Sequence, residues 1–294
     1  MNKTCQSEYG TLQRVFIKRA SEAFVDQTSV TRQWQELNFL SEPDFSKAEK
    51  ESKVFEEIIR SSGSEVSFFP KENSVSMDSI YCRDASIATD RGIIICNMGK
   101  AARLPEPRAA AKVYRDLNIP VLGEITVPGT VEGGDVAWLD AKTLAVGRTY
   151  RTNDDGIRQL RKFLEPDGIM VMEVQLPHYK GVSDVFHLMS IFSPVDKYLA
   201  VVYSPLMPIV FREELLRRGY QLVEVPDAEF DTMGCNVLAL APRKCLMVKG
   251  NNITKERLLA AGATVIEYEG TEISYKGGGG PTCLTRPLWR EVDL

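Results

Sequence analysis

A strand–turn–strand pattern occurs four times along this chain at intervals of about 50 residues, and this repeat limits the fold more than any other feature. IYCRDASIATDRGIIIC reads as two apolar strands around a polar turn at Thr89 to Gly92. The same shape returns as EGGDVAWLDAKTLAVG near residue 140, VFHLMSIFSPVDKYLAVVY near 196 and GCNVLALAPRKCLMVK near 242. Amphipathic helical segments followed by apolar strands fill the intervals. They run from Glu106 to Asn118 before IPVLGEI, Asp154 to Leu164 before IMVMEVQL, and Arg212 to Arg218 before YQLVEV. Lys255 to Ala261 precedes ATVIEYEG, and Phe45 to Ser61 precedes EVSFFP. Five helix–strand units thus accompany four hairpins.

A fifth hairpin is split between the ends of the chain. KGGGGPTCLTRPL has no following strand, and LQRVFIKRA has no preceding one. Pairing them closes a ring and removes the edge strands that an open sheet would expose. The expected fold class is therefore α/β, a five-bladed pseudo-symmetric propeller forming one domain over residues 1–294. The competing arrangement is a doubly wound α/β sheet with antiparallel additions.

With 44% hydrophobic and 26% charged residues and a net charge of −4, nothing in the composition calls for a nucleic acid or membrane partner. No apolar run approaches the roughly 20 residues of a membrane-spanning helix. The opening MNKTCQSEYGTLQRVF lacks the apolar core of a secretory leader, so a cytoplasmic location is expected. The six cysteines form no C-x-x-C pair, and the histidines are only His178 and His187. Reduced thiols and no metal are expected.

Ring closure also sorts the polar residues. If the first strands of the hairpins line one channel, then Asp84, the Glu132 to Asp135 cluster, His187, Asn236 and Cys283 occupy corresponding positions and converge. A thiol, an imidazole and carboxylates in one pocket suit attack on a cationic carbon: an activated sulfur, a proton shuttle, and anions that hold the cation. Each residue alone has a plainer reading. Cys96, Cys235 and Cys245 read as small core residues. Cys283 differs because it follows GGGGP, where successive glycines permit close approach. His187 in an apolar strand reads as a core histidine, and His178 as a loop residue. Glu132 and Asp135 could cap a turn, and Asp84 beside Arg83 could form a surface ion pair.

Taken together, Arg83-Asp84, EGGD at Glu132 to Asp135, HLMS at His187 to Ser190 and GGGGPTCLTRPL around Cys283 resemble the guanidine-modifying enzymes called penteins. These include arginine deiminases, amidinotransferases and dimethylarginine dimethylaminohydrolases. The motifs run in family order from Asp78 to Cys283, and the family's fold is the five-bladed propeller inferred from the repeat. The resemblance implies Cys283 as nucleophile, His187 as general acid and base, and Glu132 as the carboxylate that orients the histidine or touches the guanidinium. It implies Asp84 and Asp78 as substrate-binding acids, joined by Asp135 from the EGGD motif. Arg103 and Arg151 stand where the dimethylarginine branch holds the substrate α-carboxylate, which suits the bidentate guanidinium fork. No cofactor is implied, and a homodimer is the assembly the family suggests. The roles of Cys82 and Arg83 are left open, with Cys82 read as a buried spacer.

Two positions depart from the family patterns in opposite directions. Deiminases and amidinotransferases usually carry an aspartate two residues after the histidine, where this chain has Met189. A less acidic pocket suits an N-alkylated guanidine or a neutral ureido group, because a buried cation needs paired acids. The dimethylarginine branch lacks that aspartate too. It often has, however, a second acid beside the Asp84 position, where this chain has Arg83, as deiminases and transferases do. The resemblance therefore implies a dimethylargininase-like hydrolase, with amidino transfer, deiminase activity and a non-catalytic binding module as the alternatives.

Overall fold

Short turns force the two apolar runs of each repeat to pair with each other. The computed structural model describes residues 2–292 and shows the consequence, five small mixed sheets. Strands β1 (Asn2–Thr4), β2 (Thr11–Ile17) and β3 (Glu65–Phe68) come first. The next two blades are β4 (Ser86–Thr89), β5 (Gly92–Ile95) and β6 (Val121–Glu124), then β7 (Val136–Asp140), β8 (Thr143–Arg148) and β9 (Met170–Gln175). They are followed by β10 (Phe192–Asp196), β11 (Leu199–Val202) and β12 (Gln221–Glu224), and by β13 (Leu238–Ala241), β14 (Lys244–Val248) and β15 (Thr264–Tyr268). The last strand is β16 (Thr285–Val292).

In each of these four three-stranded blades the first strand runs antiparallel to the second, and the second parallel to the third. A helix makes each parallel crossover: Glu106–Asp116, Asp154–Leu164, Ile209–Arg217 and Asn252–Ala260. The middle strands are covered on both faces, and for this reason GIII of β5 and LAVV of β11 are continuous apolar runs, buried throughout. The split hairpin closes as expected. β16 pairs antiparallel with β2, Thr285 opposite Ile17, and β2 pairs parallel with β3 after the helix Phe45–Ser61. The fold is the five-bladed pentein α/β propeller.

Two helices begin three residues earlier than their periodicity suggests. Ile209–Arg217 starts directly after Pro208, whose fixed φ suits a helix entrance. Asn252–Ala260 is capped from elsewhere in the chain: the Glu229 carboxylate accepts from Ile253 N at 2.7 Å and Thr254 N at 2.8 Å. Among the described residues, no helix is long and apolar enough to cross a membrane.

The blades also place the polar residues differently from the strand positions expected. Asp84, Glu132, His187, Asn236 and Cys283 all lie in the turns just before β4, β7, β10, β13 and β16. Glu132 and His187 each lead directly into a 3₁₀ turn, Gly133–Asp135 and Leu188–Ser190. A strand would alternate its side chains between the two faces of a blade. An entry turn leaves them free to point toward the common axis.

Candidate active site

A cleft of about 320 Å³ opens where these entry turns meet, and Cys283, His187, Asp84, Asp78, Arg103 and Arg151 all line it. The glycine run before Cys283 owes its composition to close packing. A side chain at Gly277 would fall on the Tyr81 hydroxyl, and one at Gly280 would come within 2.5 Å of Asn236 Oδ1. Asn236 in turn anchors the loop. Its Oδ1 accepts from Thr282 N at 3.0 Å and Thr282 Oγ1 at 2.7 Å, and its Nδ2 donates to Cys283 Sγ at 3.2 Å. Burial pushes the Cys283 thiol up, and the nearby Asp84 charge adds to this, opposed by the hydrogen bonds from Asn236 and Thr282 and by the Arg83 charge. The balance favours the thiol over the thiolate in the empty cleft.

His187 is 4% exposed, and its Nε2 lies 2.8 Å from Glu132 Oε2. Gly134 makes room for the ring, because a Cβ there would fall on His187 Nδ1. The other Glu132 oxygen accepts from Gly99 N and Lys100 N, each at 3.0 Å, and more distantly from Arg151 Nη1 at 3.5 Å. Burial alone would neutralise both partners. For Glu132, the hydrogen bond and charge of His187 with the charges of Arg151 and Arg103 outweigh it, and the carboxylate is held ionised. For His187, the Asp135 charge, the Glu132 hydrogen bond and the Asp84 charge outweigh it, and the ring is held as imidazolium.

Asp84 is 2% exposed. Its Oδ2 accepts from Arg103 Nη1 at 2.6 Å, whereas its Oδ1 is buried with no hydrogen-bond partner. Asp84, Glu132 and His187 bring one donor atom each to within 4.8 Å of one another, a spacing at which a metal could be held. Within this group Glu132 Oε2 and His187 Nε2 already face each other in an ion pair.

Of the expected substrate residues, Asp78 lines the cleft but is bonded to Lys100 Nζ at 2.6 Å. Arg103 also lines the cleft, and its fork is spent on Asp84, on both Glu106 oxygens and on the Tyr81 carbonyl. Arg151 is freer, since its side-chain contacts to Glu132 and to the Asp184 carbonyl are both 3.5 Å. Asp135 sits behind His187 and outside the cleft wall. It is fully buried and accepts from Leu188 N at 3.1 Å and Thr149 Oγ1 at 2.7 Å. Burial pushes its carboxyl up to about 6, against the pull of the His187 charge and the Thr149 and Thr152 hydroxyls.

The Arg83–Asp84 surface pair is absent. Arg83 is 2% exposed and donates to both Glu8 oxygens at 2.9 Å. Cys82 is buried beneath the site, as expected, with its thiol raised to about 12 mainly by burial. Cys96, Cys235 and Cys245 are core residues, and all six cysteines are unpaired. His178 is exposed, bonded to the Tyr150 hydroxyl at 2.7 Å. Sequence reasoning missed Lys100 altogether and gave Asn236 a place but no role. A lysine in a loop carries no local signal of its partner.

Comparison with known proteins identifies the family. The chain is 26% identical over 287 residues to the uncharacterized protein YkgA of Bacillus subtilis, covering 97% of this chain and 95% of that one. It is 24% identical over 246 residues to the N(G),N(G)-dimethylarginine dimethylaminohydrolase of Pseudomonas aeruginosa, covering 84% and 90% of the two chains. A cysteine-to-serine form of the Pseudomonas aeruginosa enzyme complexed with citrulline superimposes with a TM-score of 0.77 at 21% identity, covering 95% of this chain and 99% of that one. The family described as N,N dimethylarginine dimethylhydrolase, eukaryotic, matches residues 22–290. By that match the chain belongs to the dimethylarginine dimethylhydrolase family, a guanidine-modifying branch of the penteins.

Proposed function

We propose that the protein hydrolyses a C–N bond of an arginine-like, N-alkylated guanidino compound through a covalent intermediate on Cys283. The observation that carries this reading is the orphan Asp84 Oδ1, a buried carboxylate oxygen without a donor on the wall of the cleft that holds the thiol. A guanidinium N–H supplies what that oxygen lacks.

The arriving cation offsets the charge of Asp84 and lets the thiol release its proton to solvent. The thiolate adds to the central guanidinium carbon, and the imidazolium of His187 protonates the departing amine as the C–N bond breaks. A thiouronium remains on Cys283. Neutral His187 then takes a proton from water, the hydroxide adds to the same carbon, and collapse breaks the C–S bond, the departing thiolate taking up the adduct's hydroxyl proton to leave a neutral ureido product and the resting thiol. Glu132 keeps the ring oriented and charged between steps. Arg151 suits the substrate carboxylate better than Arg103, which serves by holding Asp84, and Asp135 positions Leu188 behind the imidazole. Met189, buried on the cleft wall, gives an apolar neighbour for an N-alkyl group.

The test is a substrate panel with mass detection of products: dimethylarginine, monomethylarginine, arginine, citrulline and guanidino acids, with wild type and Cys283→Ala. Release of an alkylamine by wild type alone supports the proposal. Ammonia from arginine would indicate deiminase chemistry, and dependence on an acceptor amine would indicate amidino transfer. No turnover under any condition would replace the proposal with a binding module.

A further inference from the structure

Lys100 reaches into the cleft and engages two of its acceptors. Its Nζ donates to Asp78 Oδ2 at 2.6 Å and to the Leu37 carbonyl at 2.8 Å, and all three residues line the same cleft as Cys283. Asp78 is 4% exposed, so its charge is balanced by Lys100 rather than by water. Of the other acids on the cleft wall, Asp84 is bonded to Arg103 at 2.6 Å and Asp231 to Lys180 at 2.9 Å, whereas the half-buried Asp184 carboxylate forms no ion pair among the described residues.

An amino acid entering guanidinium-first brings an α-ammonium together with its α-carboxylate. An ammonium directed at Asp78 and the Leu37 carbonyl would meet a lysine that already holds both, and like charges repel strongly in a partly desolvated site. A bare carboxylate meets the opposite situation. The Lys100 ammonium has three N–H donors, two of them used, and Arg151 is held only by 3.5 Å contacts.

Resting on the hydrolase reading for the direction of entry, we propose that the substrate is a guanidino carboxylate without an α-ammonium group, its guanidinium at Asp84 and Cys283 and its carboxylate on Lys100 and Arg151. Lys100 is then a specificity-determining residue that stands in for the missing ammonium.

The experiment compares arginine and dimethylarginine with the same two molecules carrying hydrogen in place of the α-amino group. It measures kcat/KM for each, and Kd by calorimetry for the corresponding ureido products, in wild type and in Lys100→Met. Wild type is expected to favour the des-amino member by at least about tenfold in kcat/KM and in Kd. Lys100→Met, which keeps the aliphatic stem and frees Asp78, is expected to narrow or reverse that ratio. Equal or better use of the amino acids by wild type overturns the inference. So does an equal effect of Lys100→Met on both members, or binding of neither product. Preferential binding of the des-amino product without turnover of any compound would leave this inference standing and remove the hydrolase reading.

Discussion

Glu132 and His187 lie 55 residues apart in sequence and meet at 2.8 Å, each at most 4% exposed, on the entry turns of neighbouring repeats. The pair holds the proton-handling group of the cleft in its charged form. It also ties in a third repeat through the backbone N–H groups of Gly99 and Lys100, which donate to Glu132.

Replacing Glu132 with Gln leaves a buried imidazolium without its counter-ion, and a loss of about 3–5 kcal/mol is expected in urea unfolding. The pH dependence follows from both shifts. His187 is raised in the folded state, so its contribution is complete below its unfolded value of roughly 6.5 and is lost as pH rises through the folded value. Glu132 is depressed, so its contribution is present above roughly 4.5 and is lost as pH falls through its folded value. The stability gap between wild type and Glu132→Gln should therefore be widest at about pH 5–6 and shrink on either side. A gap that does not change with pH would contradict the charged pair.

Alkylation of Cys283 by iodoacetamide should titrate with a midpoint above the usual cysteine value of roughly 8.5. Because the Asp84 charge contributes to that rise, Asp84→Asn should move the midpoint down. Added guanidinium ion should do the same in wild type. A midpoint unchanged by both would remove Asp84 from the neighbourhood of the sulfur.

Asn236→Ala removes a donor to the sulfur and an acceptor for Thr282. The expected cost is about 10–100-fold in kcat/KM, corresponding to a hydrogen bond to a charged group, together with about 1–3 kcal/mol of stability for the stranded Thr282 N–H. Kinetics and chemical denaturation on one protein preparation check both. Activity within twofold of wild type would make Asn236 a loop anchor only.

Gly134→Ala places a methyl group on His187 Nδ1 and within 2.8 Å of Asp84 Oδ1. The imidazole must move, and a displacement of about 1 Å is expected to lower kcat about 100-fold. Unfolding should stay cooperative, and the imidazole resonances should shift. Full activity would show that the ring position seen here is not the working one.

The alternation of hairpin and helix–strand unit is written in local signals, namely the apolar period and the turn residues that punctuate it, so five blades and the split closing hairpin can be read from the chain alone. Closure of the ring then brings one residue from each repeat to a common axis. Cys283, His187 and Asp84 accordingly line one cleft with Glu132 directly behind them. Other features depended on distances between side chains of different repeats, which no periodicity encodes. They include the entry turns that carry these residues, the placing of Asp135 behind the imidazole, and the Arg103 fork consumed by Asp84 and Glu106. The seating of Lys100 on Asp78 and Leu37 belongs with them, because a flexible side chain finds its partner only after the backbone has fixed which acceptors stand within reach.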